Sequence, residues 1–294
     1  ATKILSHREN FRVSLHGEEK TKSLEKILMV GTSAGGARAK AIVAWNDNTG
    51  EMRSGQVDAG EGFGYWLLKF DGVETGSVQM QNPKGYGLIE YAYYKMATAA
   101  GIKMSESRLF QEGERRHFIT KRYDRDENGG KIHKLSLGSM AHLDYRMPGV
   151  HSYEQCFNTI RDLELLGKNR EQMFRRMVFN IVARNQDDHV KNIEFLMDRK
   201  GVWSLAPAFD MTYSYNPNGS YAHSHQMSMN MKRDNFTLED FNECGKKALL
   251  KRGKAEKILK ETIEVVQKWK IFAEEAGVPK ERRKKIESTF RLQF

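Results

Sequence analysis

Short apolar runs dominate the first part of the chain, and helically spaced apolar residues dominate the rest. AIVAW (41–45) and GYWLLKF (64–70) are unbroken apolar or aromatic runs of strand length, with a turn-forming NDNTGE (46–51) after the first. SESRLFQEG (105–113) and RRHFITKRYDR (115–125) read as paired strands around a Glu-Gly-Glu turn, and DENGGK after them as a loop. Between them, GLIEYAYYKMATAAG (87–101) carries Leu88, Ala92, Met96 and Ala99 at helical spacing and stops at Gly101, a suitable C-cap. This part predicts a mostly antiparallel sheet with one helix.

The period then changes. Ser152 with Gln155 three residues on makes a capping box for a helix to about Leu166, and NREQMFRRMVFNIVAR (169–184) carries an apolar stripe at Met173, Met177 and Ile181. QDDHVKN (186–192) breaks the periodicity, and IEFLMD (193–198) with VWSLAPAFD (202–210) reads as a hairpin ending on an aspartate. From Thr237, an N-cap for LEDFNECGKKALLK, two or three further helices run to Phe290. The pattern predicts an α+β fold in two lobes: a smaller antiparallel-sheet lobe over 1–124, and a larger helical lobe over 125–294 that holds the polar loop and hairpin.

Composition narrows the setting. With 39% apolar and 10% aromatic residues, a chain of 294 residues has too much material for a core to stay disordered, despite a net charge of +10. The most apolar stretch, Ile258 to Phe272, is broken by Lys260, Glu261, Glu264, Lys268 and Lys270, so no bilayer-spanning helix is expected. No secretory signal stands at the start, and Cys156 and Cys244 are too far apart for a metal or redox motif, which together predict a cytoplasmic setting. The positive charge favours an anionic partner. Met231 to Phe294 holds 17 Lys and Arg against 11 Asp and Glu, with ERRKK (281–285) its densest run.

The chemistry concentrates in QDDHVKN. Asp187 precedes Asn192 by five positions, Lys191 falls between them, and the hairpin returns Asp210 toward Asn192. Phosphoryl transfer needs these groups: a carboxylate for the acceptor hydroxyl, a lysine for charge on the moving phosphoryl group, and an amide and an acid as hard oxygen ligands for magnesium. Phe209 precedes Asp210, and no DFG occurs. A charged loop capping a helix end, with His189 bonded to backbone, is the plain alternative, and a metal hydrolase drawing on His223 and His225 is another. GTSAGGARAK (31–40) could ring phosphate oxygens with backbone amides, but Ala37 stands where a Walker A loop has its lysine. Lys40 and Lys69 are the phosphate-binding candidates of the first lobe. Lys69, inside WLLKF, needs a partner such as Glu90 or a nucleotide phosphate. Lys121 and Tyr123 lie in TKRYDR, a segment that could face an adenine edge.

SAGGARAK (33–40), WLLKF (66–70), QDDHVKN and PAFD (207–210) occur in the order of four motifs of the HipA-like serine/threonine kinase toxins, which they resemble: the glycine-rich phosphate loop, the ATP-lysine strand, the DxHxKN catalytic loop and the metal-binding PxxD. YDR (123–125) is similar to a further family segment. The resemblance implies a two-lobed protein-kinase-like fold that uses ATP and Mg2+. It implies Asp187 as catalytic base and Lys191 as the phosphoryl-neutralising lysine, with Asn192 and Asp210 as metal ligands. Ser33, Gly35, Gly36, Lys69, Lys121, Tyr123 and His189 would contact the nucleotide, and Ser33 or Thr32 would be autophosphorylated. It further implies a protein hydroxyl as acceptor, with aminoacyl-tRNA synthetases as the family's type of target, and a helix-turn-helix antitoxin that recruits the toxin to operator DNA. Members usually carry a small domain before the glycine-rich loop; with about 30 residues there, a truncated form or a separate small polypeptide is expected. A small-molecule phosphotransferase and a non-catalytic DNA- or repressor-binding subunit remain open as other readings.

Overall fold

The computed structural model describes residues 12–14, 39–72, 84–165 and 167–294. The chain divides into two compact units, residues 1–91 with 105–131 and residues 92–104 with 132–294. The glycine-rich stretch with Thr32, Ser33, Gly35 and Gly36 lies outside the described residues.

The first unit is built on an antiparallel sheet of β1 (Arg12–Ser14), β2 (Lys40–Trp45), β3 (Glu51–Ser54), β4 (Gly64–Lys69), β5 (Ser107–Glu112) and β6 (Arg115–Lys121), in the order β1-β3-β2-β4-β6-β5. Register pairs Val43 with Trp66 and Ala41 with Leu68, and these residues share one face with Met52, Phe70, Phe110 and Ile119 in a buried cluster. Ala44 and Tyr65 point to the other face and pack with Ala59. Burial on both faces explains why AIVAW and YWLLKF are continuous apolar runs rather than alternating ones. The turn at 46–51 forms as the sequence predicts, with Asn46 Oδ1 accepting from the amides of Asn48 and Thr49 at 3.0 and 3.1 Å.

Helix α1 (Tyr86–Ala99) begins in this unit and ends in the other. Asp71, just after β4, caps it: its carboxylate accepts from the amides of Gly85, Tyr86 and Gly87, and its own amide donates to His117 Nδ1 at 2.9 Å. The first turn lies so close to β6 that a Cβ on Gly87 would stand 2.8 Å from the Arg116 carbonyl oxygen. At the far end Gly101 takes the left-handed conformation, φ 78°, of a helix C-cap.

In the second unit, α4 (Gly167–Val182) is the central helix, with Met173, Phe174, Met177, Val178, Phe179, Ile181 and Val182 all buried. Around it lie α2 (Leu137–Met140), α3 (Tyr153–Asp162), α5 (Leu238–Lys247), α6 (Lys254–Val266), α7 (Trp269–Glu275) and α8 (Lys280–Glu287). The capping boxes at Ser152 and Thr237 are both formed. Helix α3 ends at Asp162, short of the expected Leu166, because Glu164 turns left-handed at φ 54°. Tyr93 stacks edge-on against Phe179 and Trp269, and its hydroxyl donates to the Ala183 carbonyl at 2.6 Å, which fixes the end of α4.

A small antiparallel sheet of β7 (His133–Ser136), β8 (Glu194–Met197) and β9 (Trp203–Leu205) completes this unit. β8 and β9 are the expected hairpin. β7 is an addition to the sequence reading, and its register sets His133 against Met197 and Ser136 against Glu194.

Candidate active site

The polar loop follows α4 directly. Arg184 adopts φ 57° and Asn185 N donates to the Asn180 carbonyl at 2.9 Å, a left-handed C-terminal turn that stops the helix without glycine. A chain of buried side chains then holds the loop. Asn185 Nδ2 donates to Asn180 Oδ1 at 2.9 Å, Asn180 Nδ2 to Tyr153 Oη at 3.1 Å, and Tyr153 Oη to Asp188 Oδ2 at 2.6 Å. Asp188 also accepts from His225 Nδ1 at 2.7 Å and from the Gln226 amide at 2.8 Å. Burial alone would raise the Asp188 carboxyl, but the electrostatic pull and hydrogen bond of His225, with those of Tyr153 and Gln226, hold it below its ordinary value. Arg291 Nη1 lies 3.0 Å from His225 Nε2 and ties this chain of side chains to the C-terminal segment.

Asp188 thus anchors the loop, and Asp187 beside it faces outward, its side chain 42% exposed. Its Oδ1 accepts from Tyr221 Oη at 2.6 Å and lies 3.5 Å from His189 Nε2. Partial burial pushes the Asp187 carboxyl up from its ordinary value, and the charges of Asp210 and Asp188 add to this while Tyr221 and His189 oppose it. Asp210 is therefore within electrostatic reach of Asp187.

Val190 to Asn192 form a single 3-10 turn with Val190 buried beneath it. Asn192 Nδ2 donates to the Asp187 carbonyl at 2.9 Å, which leaves Oδ1 as the amide atom for a ligand. Lys191 is exposed, its Nζ 4.4 Å from the centre of the Tyr145 ring.

The hairpin brings Asp210 back. Ala206 N donates to Glu194 O at 2.9 Å and Ala208 N to Lys103 O at 2.8 Å, so the segment before Asp210 is tied on both sides. Ser214 after it donates from N to Arg184 O at 3.1 Å and from Oγ to Asn185 Oδ1 at 3.2 Å. Asp210 itself has φ 51°, an uncommon conformation for a residue with a side chain, and one found often at functional positions. Asp188, His189, Asn192, Phe209 and Asp210 line one cleft.

A magnesium ion fits this donor set. Asn192 Oδ1 and the Asp210 carboxylate are hard oxygen donors on one cleft, and His189, whose buried Nδ1 has no partner, lines it as well. Two protein oxygens suit an ion that keeps waters and substrate phosphates as its other ligands. Among the described residues no three His, Cys, Asp or Glu side chains gather as a metal-binding group. His225, named with His223 for a hydrolase, is a buried partner of Asp188.

The first unit holds the remaining predicted residues. Lys69 pairs with Glu90 of α1, and both side chains are buried, 9% and 4% exposed. Its ammonium also lies 5.7 Å from the Phe118 ring centre. Lys40 stands opposite Lys69 in register. The Lys121 amide is taken up by Glu106 O at 2.8 Å and the Arg122 amide by Tyr65 O at 2.8 Å, so neither N–H is open to a ligand. Tyr123, half-buried, follows them.

Two features had no visible signal in the sequence. Tyr221 is 34 positions from Asp187, and the Asp188–His225–Arg291 relay spans 37 and 66 positions, while the residues between carry no periodic pattern that would pair them.

Comparison with known proteins places this architecture. The model of the family described as the HipA-like C-terminal domain matches residues 32–269. A protein of Sinorhizobium fredii provisionally named as a kinase is 25% identical over 126 residues, which take in 40% of this chain and 30% of that protein. One of Haemophilus influenzae, also provisionally named as a kinase, is 27% identical over 159 residues, 48% of this chain and 46% of that protein. The HipA chain of the Shewanella oneidensis HipA, HipB and operator DNA complex superposes with a TM-score of 0.62 at 15% identity, over 87% of this chain and 62% of that one, and shows a shared fold. This chain spans less than half the length of either curated relative.

Proposed function

The chain belongs to the HipA-like C-terminal domain family, and on that footing we propose that it is an ATP- and Mg2+-dependent serine/threonine protein kinase of the HipA toxin type. The observation that carries the reading is the cleft shared by Asn192 and Asp210, with Asp187 tied to it by the Asn192 Nδ2 hydrogen bond to its carbonyl. In this reading Asp187 takes the proton of the acceptor hydroxyl, and its raised proton affinity moves it toward a useful base. Lys191, exposed beside the Tyr145 ring, neutralises charge on the transferring group, and Lys69, oriented by Glu90, binds a nucleotide phosphate. When bound, magnesium held by Asn192 and Asp210 would neutralise the phosphate oxygens.

The acceptor in this reading is a protein hydroxyl, an aminoacyl-tRNA synthetase being the family's type, and Ser33 or Thr32 is a self-modification site in the glycine-rich loop. The partner is a helix-turn-helix antitoxin: the Shewanella protein is recorded with HipB and operator DNA, and the same kind of assembly is assigned here. The setting is cytoplasmic. Among the described residues no helix is long and apolar enough to cross a membrane.

The test is transfer from γ-labelled ATP with magnesium, in parallel to proteins of a cell extract and to a panel of aminoglycosides and sugars. Label on seryl or threonyl residues of an extract protein supports the proposal. Label on the small molecules alone replaces it with a small-molecule phosphotransferase, and no label anywhere, with salt-sensitive DNA binding instead, replaces it with a regulatory subunit.

A further inference from the structure

Tyr221 lies in the segment after Asp210 and has no part in the chemistry assigned so far. It is 44% exposed, yet its hydroxyl donates to Asp187 Oδ1 at 2.6 Å. A general base must be within about 2.6 to 3.2 Å of the proton it removes, and the phenol meets that condition as an acceptor hydroxyl would. The backbone presents it deliberately. Asn216 N donates to Ala222 O at 3.1 Å and Gly219 N to Asn216 O at 3.2 Å, closing a small loop, and Ala222 turns left-handed at φ 59° immediately after Tyr221. Asp187 does not depend on the phenol for its placement, since its carbonyl is held by Asn192 and its carboxylate is flanked by His189.

We propose that Tyr221 is an intramolecular phosphoacceptor, modified by the chain's own Asp187 with ATP as donor. The proposal rests on the kinase reading above. A Tyr221 Oη lone pair attacks the γ-phosphorus, forming the Oη–P bond as the bond from phosphorus to the β-phosphate oxygen breaks. The phenolic proton passes to the Asp187 carboxylate, and ADP leaves. An acceptor already seated on the base reacts as a unimolecular partner and needs no recognition groove for tyrosine. The product carries roughly two negative charges beside Asp187, with Asp188 and Asp210 near, and like charges expel it. Modification therefore clears the base for a protein acceptor.

The experiment incubates the full chain with ATP and magnesium at several protein concentrations, with and without dephosphorylated casein, and maps phosphate by peptide mass spectrometry. The expected result is about one phosphate per chain on the Tyr221 peptide, formed at a rate constant independent of protein concentration. Asp187→Asn slows it roughly 100-fold or more, and Tyr221→Phe removes that phosphate. Phosphate on casein or on other residues with Tyr221 unmodified overturns this proposal and leaves the kinase reading standing. Labelling of Tyr221 that accelerates with protein concentration overturns the intramolecular assignment, and no transfer to any acceptor overturns both readings together.

Discussion

Lys69 and Glu90 form a buried ion pair whose two members depend on each other. Neither charge is stable alone in an interior where Phe118 packs against the lysine, so deleting one partner costs more than the pair contributes. Glu90→Ala is expected to lower the unfolding free energy by about 3 to 5 kcal/mol, measured by urea denaturation; a change below about 1 kcal/mol would mean that water reaches the lysine. At the same scale, Asp187 and Asp188 are neighbours with opposite fates. Asp188 is locked by Tyr153, His225 and Gln226, whereas Asp187 keeps a carboxylate facing solvent. One acid fixes the loop so that the other can react.

The elements show why some of the fold was legible in the sequence and some was not. β2 and β4 were readable because burial on both faces leaves an uninterrupted apolar run, and α4 because its stripe falls at helical spacing. β7 was not: HKLS is short, polar and mostly half-exposed, and it is a strand only because β8 offers its edge. Likewise, the spacing of Asp187, Lys191 and Asn192 and the return of the hairpin to Asp210 are local and could be seen, whereas the contacts of Tyr221 and His225 depend on how the segment after residue 210 folds back. Element-scale predictions follow from the same contacts. Ser152→Ala removes the capping box of α3 and is expected to cost about 1 kcal/mol. Phe179→Ala, in the fully buried wall of α4 against Tyr93, is expected to cost about 3 to 5 kcal/mol. Thermal or urea unfolding checks both, and equal costs for the two would contradict the assignment of α4 as the central helix.

His117 contributes a pH dependence to folding of the whole molecule. Burial lowers its pKa, with Glu112 and Asp71 opposing, so it stays neutral in the folded chain while the unfolded chain takes up a proton near pH 6.5. The stability it contributes is complete above that value and is lost as pH falls from there through the lowered folded pKa. Unfolding free energies followed from pH 7.5 to 5 should therefore decline, and more steeply than in His117→Gln; parallel curves would show that another group governs the slope.

The activity of the whole molecule turns on whether the acid, amide and acid on the polar loop and hairpin perform phosphoryl transfer. The most direct measurement is the initial rate of phosphate transfer from ATP and magnesium by the wild-type chain and by Asp187→Asn, with nucleotide affinity measured alongside. The predicted result is a rate reduced roughly 100-fold or more with affinity changed little. Equal rates in the two proteins would contradict it.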